Sequence, residues 1–214
     1  PEEPTEPETP VTPEEPTEPE APVTPEEPTE PEAPVTLPFT DIEPTNYSAP
    51  YIAKLYELGI TTGTTDTTFS PKANLTRSQF AVMIARALKL EAKGAPKFKD
   101  VQGKWYADAV QALVENGIVQ GVDENTFAPG NTITRQQTAV MLFRVLQFAG
   151  YDALADVPTF NDAANISPYA QQAFATLQKL NILTGNEGFA NPHEQLTRQQ
   201  MAKLLVLTLE AIQK

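Results

Sequence analysis

The 214-residue chain has no cysteine and one histidine, which excludes a disulfide framework and the Cys- and His-based zinc sites. Its formal charge of −13 sits in residues 1–36, which hold 12 Glu and no Lys or Arg, leaving 16 acidic against 15 basic residues over 37–214. A nearly neutral body is no basic nucleic-acid surface, and no apolar run approaches the ~18 residues of a membrane span.

Residues 1–36 are one 12-residue unit written three times, PEEPTEPETPVT and then PEEPTEPEAPVT twice. Frequent Pro removes amide donors and fixes φ, while the Glu residues repel one another, so neither helix nor sheet is expected. A polyproline-like spacer follows, reaching at most ~110 Å at ~3.1 Å per residue. A chain that opens PEEPTEPE reads as a piece of a longer protein, and the absence of Cys is compatible with export.

Residues 37–214 carry a longer repeat, in copies expected over 37–95, 96–157 and 158–214. Each opens on F-x-D, at Phe39/Asp41, Phe98/Asp100 and Phe160/Asp162, followed by an aromatic at Tyr47, Trp105 and Tyr169. A short helix comes next, with Ile52/Leu55, Val110/Leu113 and Phe174/Leu177 at i,i+3 spacing. Gly59, Gly117 and Asn181 end it, residue types that tolerate a left-handed C′ position. GITTG (59–63), GIVQG (117–121) and NILTG (181–185) lead to polar turns closed by Phe69, Phe127 and Phe189. The third copy has one extra residue between that Phe and the arginine that follows, so its turn is expected to differ.

LTRSQ (75–79), ITRQQ (133–137) and LTRQQ (196–200) then open a second helix. Thr with Gln three residues later is a capping box. Phe80, Met83, Ile84, Ala87 and Leu88 match Thr138, Met141, Leu142, Val145 and Leu146, then Met201, Leu204, Leu205, Thr208 and Leu209. This is one apolar stripe per copy, so a mainly α fold of three tandem helix-loop-helix repeats is expected. Units of about 58 residues bury little alone and should pool their long helices in one core, as a closed ring or as an open superhelical stack.

Arg77, Arg135 and Arg198 stand in the first turn of those helices, where the helix dipole disfavours a cation by roughly 0.3–1 kcal/mol. Two readings stand. Each bridges to Asp41, Asp100 or Asp162, or each joins the free amides of a helix start to bind an anion. Tyr47, Trp105 and Tyr169 read equally as faces that stack on sugars or as staples into the core. Gly63, Gly121 and Gly185 serve either as turn residues or as places where a ligand approaches the backbone. His193 reads as a surface residue, and Asp123-Glu124-Asn125 as an Asx-type turn. No catalytic set, metal site or cofactor motif emerges.

Six motifs in one order, three times over, resemble the S-layer homology (SLH) family across residues 39 to about 212. The resemblance implies a pseudo-threefold bundle with inter-repeat grooves, anchoring exported proteins at the surface of Gram-positive and related bacteria. It implies binding of a secondary cell-wall polysaccharide, often through a pyruvate-ketal-bearing N-acetylmannosamine, without catalysis, cofactor or membrane insertion. The parent protein is then expected to lie N-terminal to the spacer. By position, the acidic sugar falls to Arg77, Arg135 and Arg198, with Trp105, Tyr47, Tyr169, Lys104 and the glycines Gly63, Gly121 and Gly185 around it. The family's Ala-Glu pair after the Arg is Ser78-Gln79, Gln136-Gln137 and Gln199-Gln200 here. Lys104 has Asn46 and Pro168 as counterparts, so unequal grooves are expected, the one with Lys104 and Trp105 among the better. The rival reading is a docking module for an acidic segment or helix of a partner protein.

Overall fold

The computed structural model describes residues 37–152 and 157–213, so the spacer expected over 1–36 lies outside the described residues. Three helix pairs follow one another: α1 (Ala49–Glu57) with α2 (Arg77–Ala87), α3 (Ala107–Glu115) with α4 (Arg135–Phe148), and α5 (Gln171–Lys179) with α6 (Arg198–Ile212). Each long helix starts at a complete capping box, Thr76/Gln79, Thr134/Gln137 or Thr197/Gln200. Each short helix gives way to a left-handed residue, Gly59 (φ 67°), Gly117 (φ 71°) or Asn181 (φ 56°).

The pairs close into a ring. α3 packs on α2 and α5 on α4, each short helix against the long helix before it, and α1 packs on α6. An open stack would leave α1 without that neighbour, so the structure selects the ring. At its centre, three backbone bonds run head to tail: Leu75 N–H to Leu196 C=O (3.0 Å), Leu196 N–H to Ile133 C=O (3.0 Å), and Ile133 N–H to Leu75 C=O (2.9 Å).

One apolar cluster joins all three pairs, with Phe80 and Ile84 of α2, Leu142 and Leu146 of α4, and Met201 and Leu205 of α6 all fully buried. The F-x-D rings Phe39, Phe98 and Phe160 belong to the same cluster. Each such side chain contributes roughly 1.5–3 kcal/mol relative to exposure, before the entropy of ordering is subtracted. No single pair owns a separate core, which is why three short units hold together.

Candidate functional site

The arginines are best understood from the turn each one touches. Asp41 accepts the amides of Phe69 (2.8 Å) and Ser70 (2.7 Å), while the carbonyl of Phe69 accepts Nε of Arg198 (2.7 Å). Asp100 likewise takes the amides of Phe127 (3.0 Å) and Ala128 (2.7 Å), and the Phe127 carbonyl takes Nε of Arg77 (2.9 Å). Asp162 takes those of Ala190 (2.6 Å) and Asn191 (2.8 Å), and the Ala190 carbonyl takes Nε of Arg135 (2.8 Å). Carboxylate and guanidinium therefore face each other across a peptide unit instead of forming the direct bridge. Each Arg reaches into the turn of the following pair, and Arg198 closes the circle on the first.

This geometry corrects the reading that free helix-start amides join the arginine at an anion site. The first two amides of each long helix donate to carbonyls of a neighbouring turn: Arg77 and Ser78 to Asn131 and Pro129, Arg135 and Gln136 to Glu194 and Pro192, Arg198 and Gln199 to Ala73 and Pro71. The third amide goes to the capping Thr. Those carbonyls offset the positive helix end, which makes an Arg tolerable there. What remains for a ligand is the far end of the guanidinium. Among the described residues, Arg135 and Arg198 donate to protein only through Nε, and Arg77 adds one bond from Nη2 to the Gln120 carbonyl (3.2 Å). No buried side-chain N or O among the described residues lacks a partner, so the unbonded terminal nitrogens keep some access to solvent, and each arginine lines a groove.

The three grooves share one design. The first (about 370 Å³) combines the loop 60–64, Gln79, Met83 and Arg86, with Trp105 from the next pair and Arg198 from the last. The second (about 420 Å³) combines the loop 119–122, Gln137, Met141 and Arg144, with Tyr169 and Arg77. The third (about 500 Å³) combines the loop around Thr184–Gly185–Asn186, Gln200, Lys203 and Glu194, with Tyr47 and Arg135. Every groove thus draws on all three pairs. Tyr47, Trp105 and Tyr169 are 52%, 71% and 59% exposed, so they stand at groove edges and not as core staples. Burial lowers the guanidinium pKa of Arg77, Arg135 and Arg198 from its ordinary value. Burial also raises the phenols of Tyr47 and Tyr169, against the pull of Arg135 and Arg77 respectively.

Other predicted residues divide. Gly63, Gly121 and Gly185 line the grooves, yet their lack of a side chain already has a packing cause. A Cβ at Gly63 would lie 2.5 Å from the Phe39 ring, and one at Gly121 2.5 Å from that of Phe98. Lys104 is exposed but does not line the groove; Arg86 occupies that role, with Arg144 and Lys203 in the other two. Sequence reasoning missed these three cations. The available signal was a cation nine residues after Arg77 and after Arg135, which reads as an ordinary solvated residue, and Lys203 breaks even that spacing. His193 is exposed, with Nε2 3.0 Å from the Asn165 carbonyl, and Asp123 accepts the Asn125 amide (2.9 Å) in its Asx turn.

The third turn corrects a register. Phe189, aligned by sequence with Phe69 and Phe127, is displaced by the extra residue and stands 44% exposed, and Ala190 takes its place between Asp162 and Arg135. Arg198 and Arg77 lie over the rings of Phe69 (4.5 Å) and Phe127 (4.7 Å), contacts that Ala190 has no ring to give Arg135. Arg135 is accordingly half-buried where the other two are buried.

A family model for the S-layer homology domain matches residues 38–81, 97–139 and 159–202. The chain is 40% identical over 172 residues, 78% of its length, to an endoglucanase of Bacillus sp. (strain KSM-635), of which the match covers 18%. It is 31% identical over 78% of its length to the surface-layer 125 kDa protein of Lysinibacillus sphaericus, and 26% identical over 79% to S-layer protein EA1 of Bacillus anthracis. The chain spans a fifth or less of these relatives' own lengths.

Proposed function

The chain belongs to the S-layer homology family, and from that premise we propose that it anchors an exported protein to the bacterial cell wall without covalent linkage. Its ligand is an anionic secondary wall polysaccharide, and its relatives, an endoglucanase and surface-layer proteins, fit a module shared by different exported proteins. One observation carries the reading: three corresponding grooves each join unbonded guanidinium nitrogens, an exposed aromatic face and a glycine-containing loop. A planar fork matches a carboxylate, and an aromatic face suits the C–H side of a sugar ring. A pyruvate ketal presents that carboxylate on a sugar, so pyruvylated N-acetylmannosamine is the preferred unit. The module itself performs no reaction.

Each groove contributes modest affinity, with charge-assisted bonds worth roughly 1.5–3 kcal/mol. Engaging several grooves on one polymer raises avidity by roughly 10²–10⁴. The test is a calorimetric titration with the wall glycan before and after removal of its pyruvate. Binding that vanishes with the pyruvate supports the reading. Binding indifferent to it, or capture by wall stripped of the polymer with hydrofluoric acid, overturns it in favour of another glycan or a protein partner.

A further inference from the structure

The three grooves are not alike at their outer ends. A second hollow of about 690 Å³ adjoins the first groove and shares Val82, Arg86 and Trp105 with it. Trp105, 71% exposed, divides the two, held edge-on by Tyr106 at 5.3 Å between ring centres. Beyond it the wall is the chain leaving α2, which turns outward at Lys89 (φ 52°). That segment is fastened to α3. The amides of Lys93 and Gly94 donate to the Glu115 carboxylate (2.9 Å each), Gln111 Nε2 donates to the same carboxylate (2.9 Å), and the Lys97 amide donates to Gln111 Oε1 (2.9 Å).

We propose that this hollow is a second sugar subsite, so that a glycan whose acidic unit occupies the first groove crosses the Trp105 indole and sets its next unit beyond it. The inference rests on the glycan reading above. The lining decides the chemistry of that unit. Arg86, Lys89 and Lys93 offer donors, while Glu91 and Asp108 offer acceptors and offset most of that positive charge. Such a mixed wall suits a neutral, hydroxyl-rich sugar, and its size lies within the ~300–1,000 Å³ usual for ligand clefts. The fastened backbone keeps the hollow formed before the glycan arrives, which lowers the ordering cost of binding.

Trp105 is the only tryptophan in the chain, so its fluorescence reports this groove apart from the other two. The probes are the methyl glycoside of pyruvate-ketal-bearing N-acetylmannosamine and a wall-polymer tetrasaccharide ending in the same unit. The tetrasaccharide is expected to bind at Trp105 roughly tenfold more tightly or better. In the double variant Lys89→Gln/Lys93→Gln that gain falls to within about twofold, with the monosaccharide Kd unchanged. Equal Kd values for the two probes, or a gain that survives the double variant, overturn the subsite and leave the groove reading standing. Failure of the monosaccharide to bind in calorimetry overturns the groove reading, and the subsite with it.

Discussion

The first and third grooves are assembled from corresponding parts of the ring, yet they offer an acidic ligand different surroundings. In the first, Arg198 and Arg86 face the space with no carboxylate among the lining residues. In the third, Glu194 enters beside Arg135 and Lys203, and its charge is the largest electrostatic influence on Arg135 after burial itself. Glu194 stands where the other turns have Ala73 and Asn131, each giving its backbone carbonyl to the same helix-start amide. Only the carbonyl is needed for the ring, so the side chain there is free to vary. The frame repeats because the backbone bonds, the capping boxes and the Asp and Arg side chains recur in each copy, and the grooves diverge at lining positions such as 194 whose side chains the frame does not use.

The comparison can be broken most forcefully at the arginines. Arg198→Ala leaves the buried Phe69 carbonyl without its donor and removes the ring contact, a loss of about 1–3 kcal/mol visible as a lower Tm. Arg135→Ala should cost less, since that residue is half-buried and has no ring beneath it. Equal shifts in Tm would mean that the turns, too, are inequivalent in ways their hydrogen bonds do not reveal.

At the exposed aromatics, binding should fall and stability should not. Trp105→Ala is expected to weaken glycan binding at the first groove roughly tenfold, and Tyr47→Ala to weaken the third by less, with Tm constant in both. Calorimetry with the acidic monosaccharide reads the first quantity and thermal unfolding the second. Glu194→Gln sharpens the contrast from the other side. Removing that charge should tighten the third groove by several-fold, about 1 kcal/mol at an open site, and more at low salt.

The smallest effect is one of acidity. Hydrogen bonds from Gln111 and then from the Lys93 amide hold the Glu115 carboxyl below its usual range, aided by the Lys93 charge. A depressed carboxylate stabilises the fold above its unfolded pKa, and that contribution is lost as pH falls through the lowered folded value. The Lys93 and Gly94 amide resonances should therefore shift only at a pH below the ordinary glutamate range, and Glu115→Gln should flatten the transition.

Much of the frame was legible because it follows local rules. A Thr with Gln three residues on starts each long helix, and a Gly or Asn after an apolar stripe ends each short one. The grooves were legible only as residue types. That Arg198 would meet Trp105 and Gly63, which come from three different copies, is a matter of ring closure and not of spacing. The amides at the helix starts were misread for the same reason, since their acceptors at Pro71, Pro129 and Pro192 belong to neighbouring copies. Likewise the extra residue before Arg198 signalled a different turn, but not that Ala190 would inherit the place of a phenylalanine.

The three central bonds among Leu75, Ile133 and Leu196 have a bearing on number. Each of the three residues both gives and receives, so the triangle has no spare N–H donor with which a fourth copy could be joined. Deleting a copy opens two of these bonds together with two Arg anchors, so partial arrays should unfold as wholes instead of persisting as pairs. The number of grooves is thus fixed at three by peptide geometry.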